Sequence, residues 1–181
     1  MKNNQQIEHS VFLRKLEPED LPLLYQWEND ASVWADGDTH NPLSQNDLRD
    51  YIMRTTGDMF LDGQLRMIVC QASTNESEGS FATSGEAMGC VDLYDVDIRN
   101  RKVAVAVYVA PQFRNKGVAR EALLQIKSYV AEFLGFRMLY AWVRVGNVAS
   151  EKAFKATGFS EVARLPKWIN EGDVCILQTQ L

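Results

Sequence analysis

The stretch Val105-Ala106-Val107-Tyr108-Val109-Ala110-Pro111-Gln112-Phe113-Arg114-Asn115-Lys116-Gly117-Val118-Ala119 runs from an apolar, β-branched segment through a basic turn into a helical pattern. The end of a buried strand is fixed in space, and a helix that starts a few residues later offers backbone N–H groups with no partner inside the helix. Those donors, with the positive end of the helix dipole, suit a pyrophosphate. Gly117 lets the backbone approach a phosphate with no Cβ in the way, while Arg114 and Lys116 add charge that a purely structural turn does not need.

Outward from this turn, Ala119, Ala122, Leu123, Ile126, Val130, Phe133 and Leu134 recur at three and four residues, and Gly135 follows as a helix stop. Arg137 to Val143 reads as the next strand, so strand, helix and strand predict a right-handed crossover with two parallel strands side by side. Upstream, Ala87 to Asp95 and Lys102 to Val109 flank the turn-like Asp97-Ile98-Arg99-Asn100, which predicts an antiparallel pair. Val11 to Leu16 and Leu65 to Ala72 read as strands. A helix opening at Glu17-Pro18 and running to about Asn29, and a second over Ser44 to Thr55 with Ser44 and Asp47 as a capping box, lie between them. Downstream, Asn147 caps a short helix ending at Gly158, and Ser160 to Trp168 with Val174 to Gln180 form a closing hairpin. The class is mixed α/β: a mostly antiparallel sheet with one crossover and about four flanking helices.

With 181 residues, 46% of them hydrophobic and 10% aromatic, the chain supports one domain over 1–181 with a substantial core. Residues 73–86, rich in Ser, Gly, Thr and Glu, read as a flexible surface loop. A formal charge of −5 argues against nucleic acid and acidic membranes as partners, because counterion release needs a basic face. Cys70, Cys90 and Cys175 are odd in number and far apart, which suggests neither a disulfide framework nor a metal site. Met1 to Ser10 lacks an apolar leader segment, so a cytoplasmic location is expected.

Arg114-Asn115-Lys116-Gly117-Val118-Ala119 resembles the Arg/Gln-x-x-Gly-x-Gly/Ala signature of the GCN5-related N-acetyltransferases (GNAT), and Asn147, Ser150, Phe154, Gly158 and Phe159 resemble their downstream segment. The likeness spans about Val11 to Leu181 and is nearest to the branch that acetylates ribosomal-protein N-termini or polyamines. It implies a GNAT fold whose central sheet is splayed at a cleft for acetyl-CoA, between the strands ending at Val109 and Val143. It further implies that backbone N–H groups from Arg114 through Asn115, Lys116, Gly117 and Val118 to Ala119 hold the pyrophosphate. By the same resemblance Val107 and Val109 pair with the pantetheine, Asn147 contacts that arm, Ser150 and Phe154 lie against the cofactor, and a homodimer is implied.

The reaction sets its own demands. An alkylamine is protonated at pH 7, since its pKa is about 10, so a carboxylate or a water chain must take a proton before the nitrogen can attack. Attack creates an oxyanion that a fixed backbone N–H stabilises, and Val109 at the strand end is the candidate donor. Many family members carry a Tyr acid where this chain has Phe154, which cannot donate a proton; Ser150, one turn earlier, is the candidate to hydrogen-bond the sulfur, and equally reads as an ordinary first-turn residue. Asp92 is the candidate for ordering the water that takes the amine proton, with Glu86 at the entrance of the same strand as the alternative, and either also reads as a solvated strand residue. His9 and His40 are isolated. Tyr108 and Tyr140 read as packing residues. Glu28, Asp30, Asp36, Asp38, Asp47 and Asp50 stand against a single Arg49; the resemblance implies that this region walls the acceptor site, which favours a cationic acceptor, either a small amine or a peptide amine, while the six acids equally read as solvated helix and loop charges. Trp27, Trp34 and Trp168 are candidate walls of its site, and equally read as core residues or, for Trp168, a strand-end anchor. A cofactor-binding module of the same fold without turnover is the alternative reading. A nucleotide-binding module is a third, against which the chain lacks the glycine-rich runs such loops need.

Overall fold

Runs of Val, Ile, Leu and aromatic residues suit a pleated surface covered on at least one face, and seven of them form a single sheet in this chain. The structure is a computed structural model that describes residues 11–34, 41–72, 85–169 and 172–181. The strands are β1 (Val11–Lys15), β2 (Leu65–Gln71), β3 (Ala87–Asp97), β4 (Lys102–Val109), β5 (Met138–Arg144), β6 (Ser160–Ile169) and β7 (Gly172–Gln180). They lie in the order β1-β2-β3-β4-β5-β7-β6, with every neighbouring pair antiparallel except β4 and β5. The expected crossover is present: α5 (Val118–Glu132) connects the parallel strands and puts Val118, Ala122, Leu123, Ile126 and Val130 into the core. Phe133, expected on that face, is 75% exposed, because the helix ends at Glu132 and Phe133 turns aside to stack on Tyr129.

The other helices are α1 (Leu21–Glu28), α2 (Ala31–Trp34), α3 (Gln45–Arg54), α4 (Met59–Asp62) and α6 (Val148–Ala156). The four longer ones stand where the sequence puts them, and the single turns α2 and α4 are additions. Ser44 and Asp47 form the expected capping box of α3, each side chain accepting the other residue's backbone N–H. Leu24 of α1 with Leu48 and Ile52 of α3 make a small apolar cluster of their own, which joins these helices to one another. His9, His40, Asp36, Asp38 and 73–84 of the expected loop lie outside the described residues.

One feature of the sheet creates a cleft. β4 and β5 pair only at Lys102↔Met138, Val103↔Leu139 and Ala104↔Tyr140, although β4 stays paired with β3 as far as Gly89↔Val109 and β5 with β7 as far as Arg144↔Val174. Beyond Ala104 and Tyr140 the two strands therefore diverge. Gly89 permits the close seating of β3 on β4 at this point, since a Cβ there would lie 2.0 Å from the Tyr108 carbonyl oxygen.

Asp20 ties the first helix to the sheet. Its carboxylate is buried and accepts two 2.7 Å hydrogen bonds from Arg14 of β1, and a third at 2.9 Å from the Glu17 N–H in the 3-10 turn before α1. Burial works against its ionisation, but Arg14 and the Glu17 N–H outweigh it and lower the pKa. A lowered carboxylate pKa contributes stability that is fully present above the unfolded value of about 4 and is lost as pH falls through the folded one. Asp20→Asn should cost about 2 kcal/mol at pH 7, below the range for a fully buried pair because Arg14 is partly solvated. Thermal melts should show a drop of about 4–8 °C at pH 7 for a chain of this size, with the gap to wild type closing below pH 4.

Candidate active site

Strand alternation fixes what the cleft walls offer. The Ala110 N–H donates to the Met88 carbonyl at 2.9 Å, so Ala110, Tyr108 and Ala106 are the β4 residues bonded to β3. The N–H and C=O groups of Val107 and Val109 consequently point the other way, toward β5, past the point where β5 has left. On the opposite wall, the Val145 N–H donates to the Asp173 carbonyl at 2.9 Å, which assigns Val145 and Val143 to the β7 side and turns the backbone of Trp142 toward the cleft. Two strands with open backbone edges thus face one another, able to accept an extended chain between them.

At the mouth of the cleft, the basic turn runs from Ala110 through a 3-10 turn at Pro111–Phe113. Asn115 and Gly117 both adopt left-handed backbone, with φ of 61° and 82°. Gly117 occupies the N-cap of α5, with no side chain capping the helix, and the first helical bond is Glu121 N–H to the Gly117 carbonyl. The N–H groups of Val118, Ala119 and Arg120 are thereby left for an outside acceptor. A Cβ on Gly117 would have no protein atom within 4 Å, so its space opens outward. Arg114, Asn115 and Lys116 are exposed around it. The Arg114 Nε–H donates to the Val109 carbonyl at 3.0 Å, which engages that carbonyl and leaves the Val109 N–H as the donor at the strand tip.

The second wall ends in α6. Asn147 caps it, its side-chain oxygen accepting the Ser150 N–H at 3.1 Å, so Asn147 and Ser150 are held together at the cleft end of β5. Both are half-buried. Phe154, expected among the cofactor contacts, is 2% exposed and packs edge-on against Phe159 at 5.0 Å. Its ring belongs to the core, with no face left for a ligand.

One face of the divergent strands carries polar chemistry. Tyr108 of β4 packs on Trp27 of α1 with ring centroids 5.5 Å apart, in keeping with its expected packing role. Burial, then the charge of Asp30, raise its pKa against the opposing pull of Arg114. On the same face Ala106 is only half-buried, although it sits mid-strand in a central position of the sheet. That partial exposure marks a trough. Asp92 of β3 stands directly opposite Ala106, and Arg66 of β2 opposite Asp92. The Arg66 Nε and Nη2 groups donate to the two Asp92 oxygens at 2.6 and 3.0 Å, and Nη1 donates to Glu28 Oε1 at 2.5 Å. The Tyr51 ring lies 5.8 Å from the guanidinium carbon. Burial opposes the charge on Arg66, but Asp92 and then Glu28 outweigh it and raise its pKa well above the ordinary value. Across the trough, Trp142 of β5 stacks on Trp168 of β6 at 6.1 Å and 17°, and the two are 37% and 60% exposed.

The domain described as Acetyltransferase (GNAT) matches residues 10–160 of this chain. The chain belongs to the GNAT acetyltransferase family. It is an N-acetyltransferase of that fold, and acetyl-CoA is the cosubstrate. Spermidine N(1)-acetyltransferase of Escherichia coli K12 is 26% identical over 184 residues, covering 95% of this chain and 88% of that protein. YdaF of Bacillus subtilis, classed with ribosomal N-acetyltransferases, is 24% identical over 159 residues, covering 86% of this chain and 80% of its own. Among solved structures, the Vibrio cholerae spermidine N-acetyltransferase in complex with CoA and spermine superposes with a TM-score of 0.79 at 21% identity, covering 94% of this chain and 95% of the other. In this GNAT chain β4 and β5 stop pairing at Ala104 and Tyr140, ahead of the open α5 N-terminus that follows β4 and the Asn147 cap that follows β5.

Several side chains stand differently from expectation. Asp92, the expected base, has both oxygens engaged by Arg66 and acts as a charge partner. Glu86 is exposed at the entrance of β3, where its carbonyl accepts the Gln71 N–H. Tyr140 is buried, as expected of a packing residue; its hydroxyl donates to the Asp95 carboxylate, and burial with that bond raises its pKa. Arg66 and Trp142 were not singled out from the sequence. Arg66 did carry a signal, as the one basic residue in the apolar strand Leu65–Gln71. Since the space in front of Gly117 is open and a bulky side chain would fill it, Gly117→Trp should weaken acetyl-CoA binding at least about tenfold. Isothermal titration checks this, and an unchanged Kd would remove the phosphate site from Gly117.

Proposed function

We propose that this acetyltransferase modifies a primary amine of a polyamine-like acceptor. The observation that carries the reading is the trough beside the β4–β5 divergence, floored by Ala106 and bordered by Glu28 and Asp92 on one side and exposed indole faces on the other. An ammonium over an aromatic face gains about 0.5–2 kcal/mol, and the triad of two carboxylates with one guanidinium keeps one negative charge. The relatives named for spermidine acetylation support the same acceptor class.

Acetyl-CoA supplies the activated acyl group. The chain's own part is to hold and polarise it: the N–H groups of Val118, Ala119 and Arg120, with Arg114, Asn115, Lys116 and the open space at Gly117, take the pyrophosphate. The backbone edges of Val107 and Val109 pair with the pantetheine arm, which Asn147 steadies from the other wall. Charge developing on the acyl oxygen is met by the Val109 N–H, and such a donor is typically worth about 100- to 1,000-fold in rate. Ser150, held beside Asn147 at the start of α6, hydrogen-bonds the departing sulfur in place of the Tyr acid that Phe154 cannot supply.

A protein N-terminus is the second acceptor reading, favoured by the likeness to YdaF and by the neutralisation of one acid by Arg66. Mass-detected acetylation of spermidine, spermine and putrescine, run against short peptides with free N-termini, separates the two. Turnover of the polyamines at peptide-free background supports the first reading, and modified peptides with untouched polyamines overturn it. In the same assay Ser150→Ala should lower kcat by about tenfold to 100-fold with acetyl-CoA affinity unchanged; an unchanged kcat removes Ser150 from the chemistry.

A further inference from the structure

The two carboxylates around Arg66 are not equivalent. Asp92 gives both oxygens to the guanidinium, Oδ1 to Nε at 2.6 Å and Oδ2 to Nη2 at 3.0 Å, in the parallel two-bond arrangement that fixes both partners. Glu28 gives only Oε1, at 2.5 Å to Nη1. Among the described residues, nothing donates to its Oε2. Glu28 closes α1, directly after Trp27, whose ring packs on Tyr108 at the edge of the β4–β5 cleft. Its side chain is 21% exposed, so it is drawn in from bulk solvent yet reachable. Arg66 itself is 17% exposed and bound on three of its nitrogens, so it cannot turn away to release Glu28.

We propose that Glu28, through Oε2, is the carboxylate that receives the proton of the acceptor ammonium, directly or through one water, and that Arg66 and Asp92 are positioning residues that hold it over the trough. This rests on the amine-acetylation reading above. The ammonium gives one proton to Glu28 and keeps its lone pair; that pair forms the new N–C bond to the acyl carbon, and the C–S bond breaks with its electron pair leaving on sulfur. The second proton lost from nitrogen ends on the thiolate, and Glu28 returns the first to solvent. Charge balances without an oxidant or a metal. The fixed Arg66–Asp92 pair gives Glu28 a set orientation and compensates a second negative charge that would otherwise hold the ammonium too tightly in its protonated form.

The test is the pH profile of kcat/KM for polyamine acetylation by wild type, Glu28→Gln and Asp92→Asn. Acetyl-CoA affinity and melting temperature are measured on each. Glu28→Gln should lose about 100-fold or more at pH 7 with acetyl-CoA affinity intact, and the loss should shrink as pH approaches the amine pKa of about 10, where the acceptor deprotonates itself. Asp92→Asn should lower the melting temperature and raise the acceptor KM without steepening the pH profile. Formate added to Glu28→Ala should restore part of the activity, which guards against a variant that is merely misfolded. A Glu28→Gln enzyme with wild-type kcat/KM at pH 7, or a loss that stays constant with pH, overturns the assignment while leaving the acetyltransferase reading intact. No turnover of any amine by wild type overturns that reading, and this proposal with it.

Discussion

Everything distinctive about this molecule depends on one interrupted ladder. A parallel pair in mid-sheet ordinarily satisfies its backbone along its whole length, because an unpaired buried N–H or C=O costs free energy comparable to a lost hydrogen bond. Here β4 and β5 pair over three residues and then diverge. Each is held to its course by its other neighbour, β4 by β3 and β5 by β7, so the gap cannot close by local adjustment. The backbone groups of Val107, Val109 and Trp142 remain directed into it. A cleft made this way is polar on its walls without a polar side chain, and it accepts whatever extended chain can complete the two half-ladders.

A second constraint is the charge carried on the sheet face beside the divergence. Arg66 is a guanidinium on a strand that otherwise feeds the core, and burying it unpaired would cost several kcal/mol. Two carboxylates and an aromatic face meet that demand for Arg66 of β2, and they come from three other elements: Glu28 from α1, Tyr51 from α3 and Asp92 from β3. Satisfying the charge therefore docks the first helices onto the sheet. The helices that wall the trough are positioned by electrostatics as well as by the small Leu24, Leu48 and Ile52 cluster. Removing Arg66 would leave two acids facing each other, so the site's charge and the seating of its walls are coupled.

The contrast between these constraints explains what the sequence could disclose. Features that depend on near neighbours were legible: the strand–turn–helix around Gly117, the Asn147 cap that holds Ser150 three residues on, the Ser44 and Asp47 box, and the crossover itself. Each is a local hydrogen-bond or periodicity rule. The divergence was reached only through family resemblance, since nothing in the composition of β4 or β5 states where pairing stops. The Arg66 triad joins residues 26 and 38 positions apart, beyond any spacing rule, and Asp92 consequently looked like an open carboxylate. Phe133 and Phe154 stand apart from expectation for different reasons: periodicity carries through a helix end without registering it, as at Phe133, whereas Phe154 was placed by resemblance and its ring is taken up by Phe159.

The two halves of the cleft accordingly evolve under different rules. On the proposed reading the cosubstrate contacts come largely from backbone N–H and C=O groups, which depend on φ and ψ more than on side-chain identity, with Arg114, Lys116, Asn147 and Ser150 adding side-chain contacts to them. On the same reading the acceptor half is built from side chains, where a single exchange at Glu28, Arg66 or Trp142 alters charge or shape directly. Divergence in substrate is then the expected outcome of drift on this fold. It requires no movement of the strands, because the element that carries the shared half is anchored by β3 and β7 and is indifferent to what stands over Ala106.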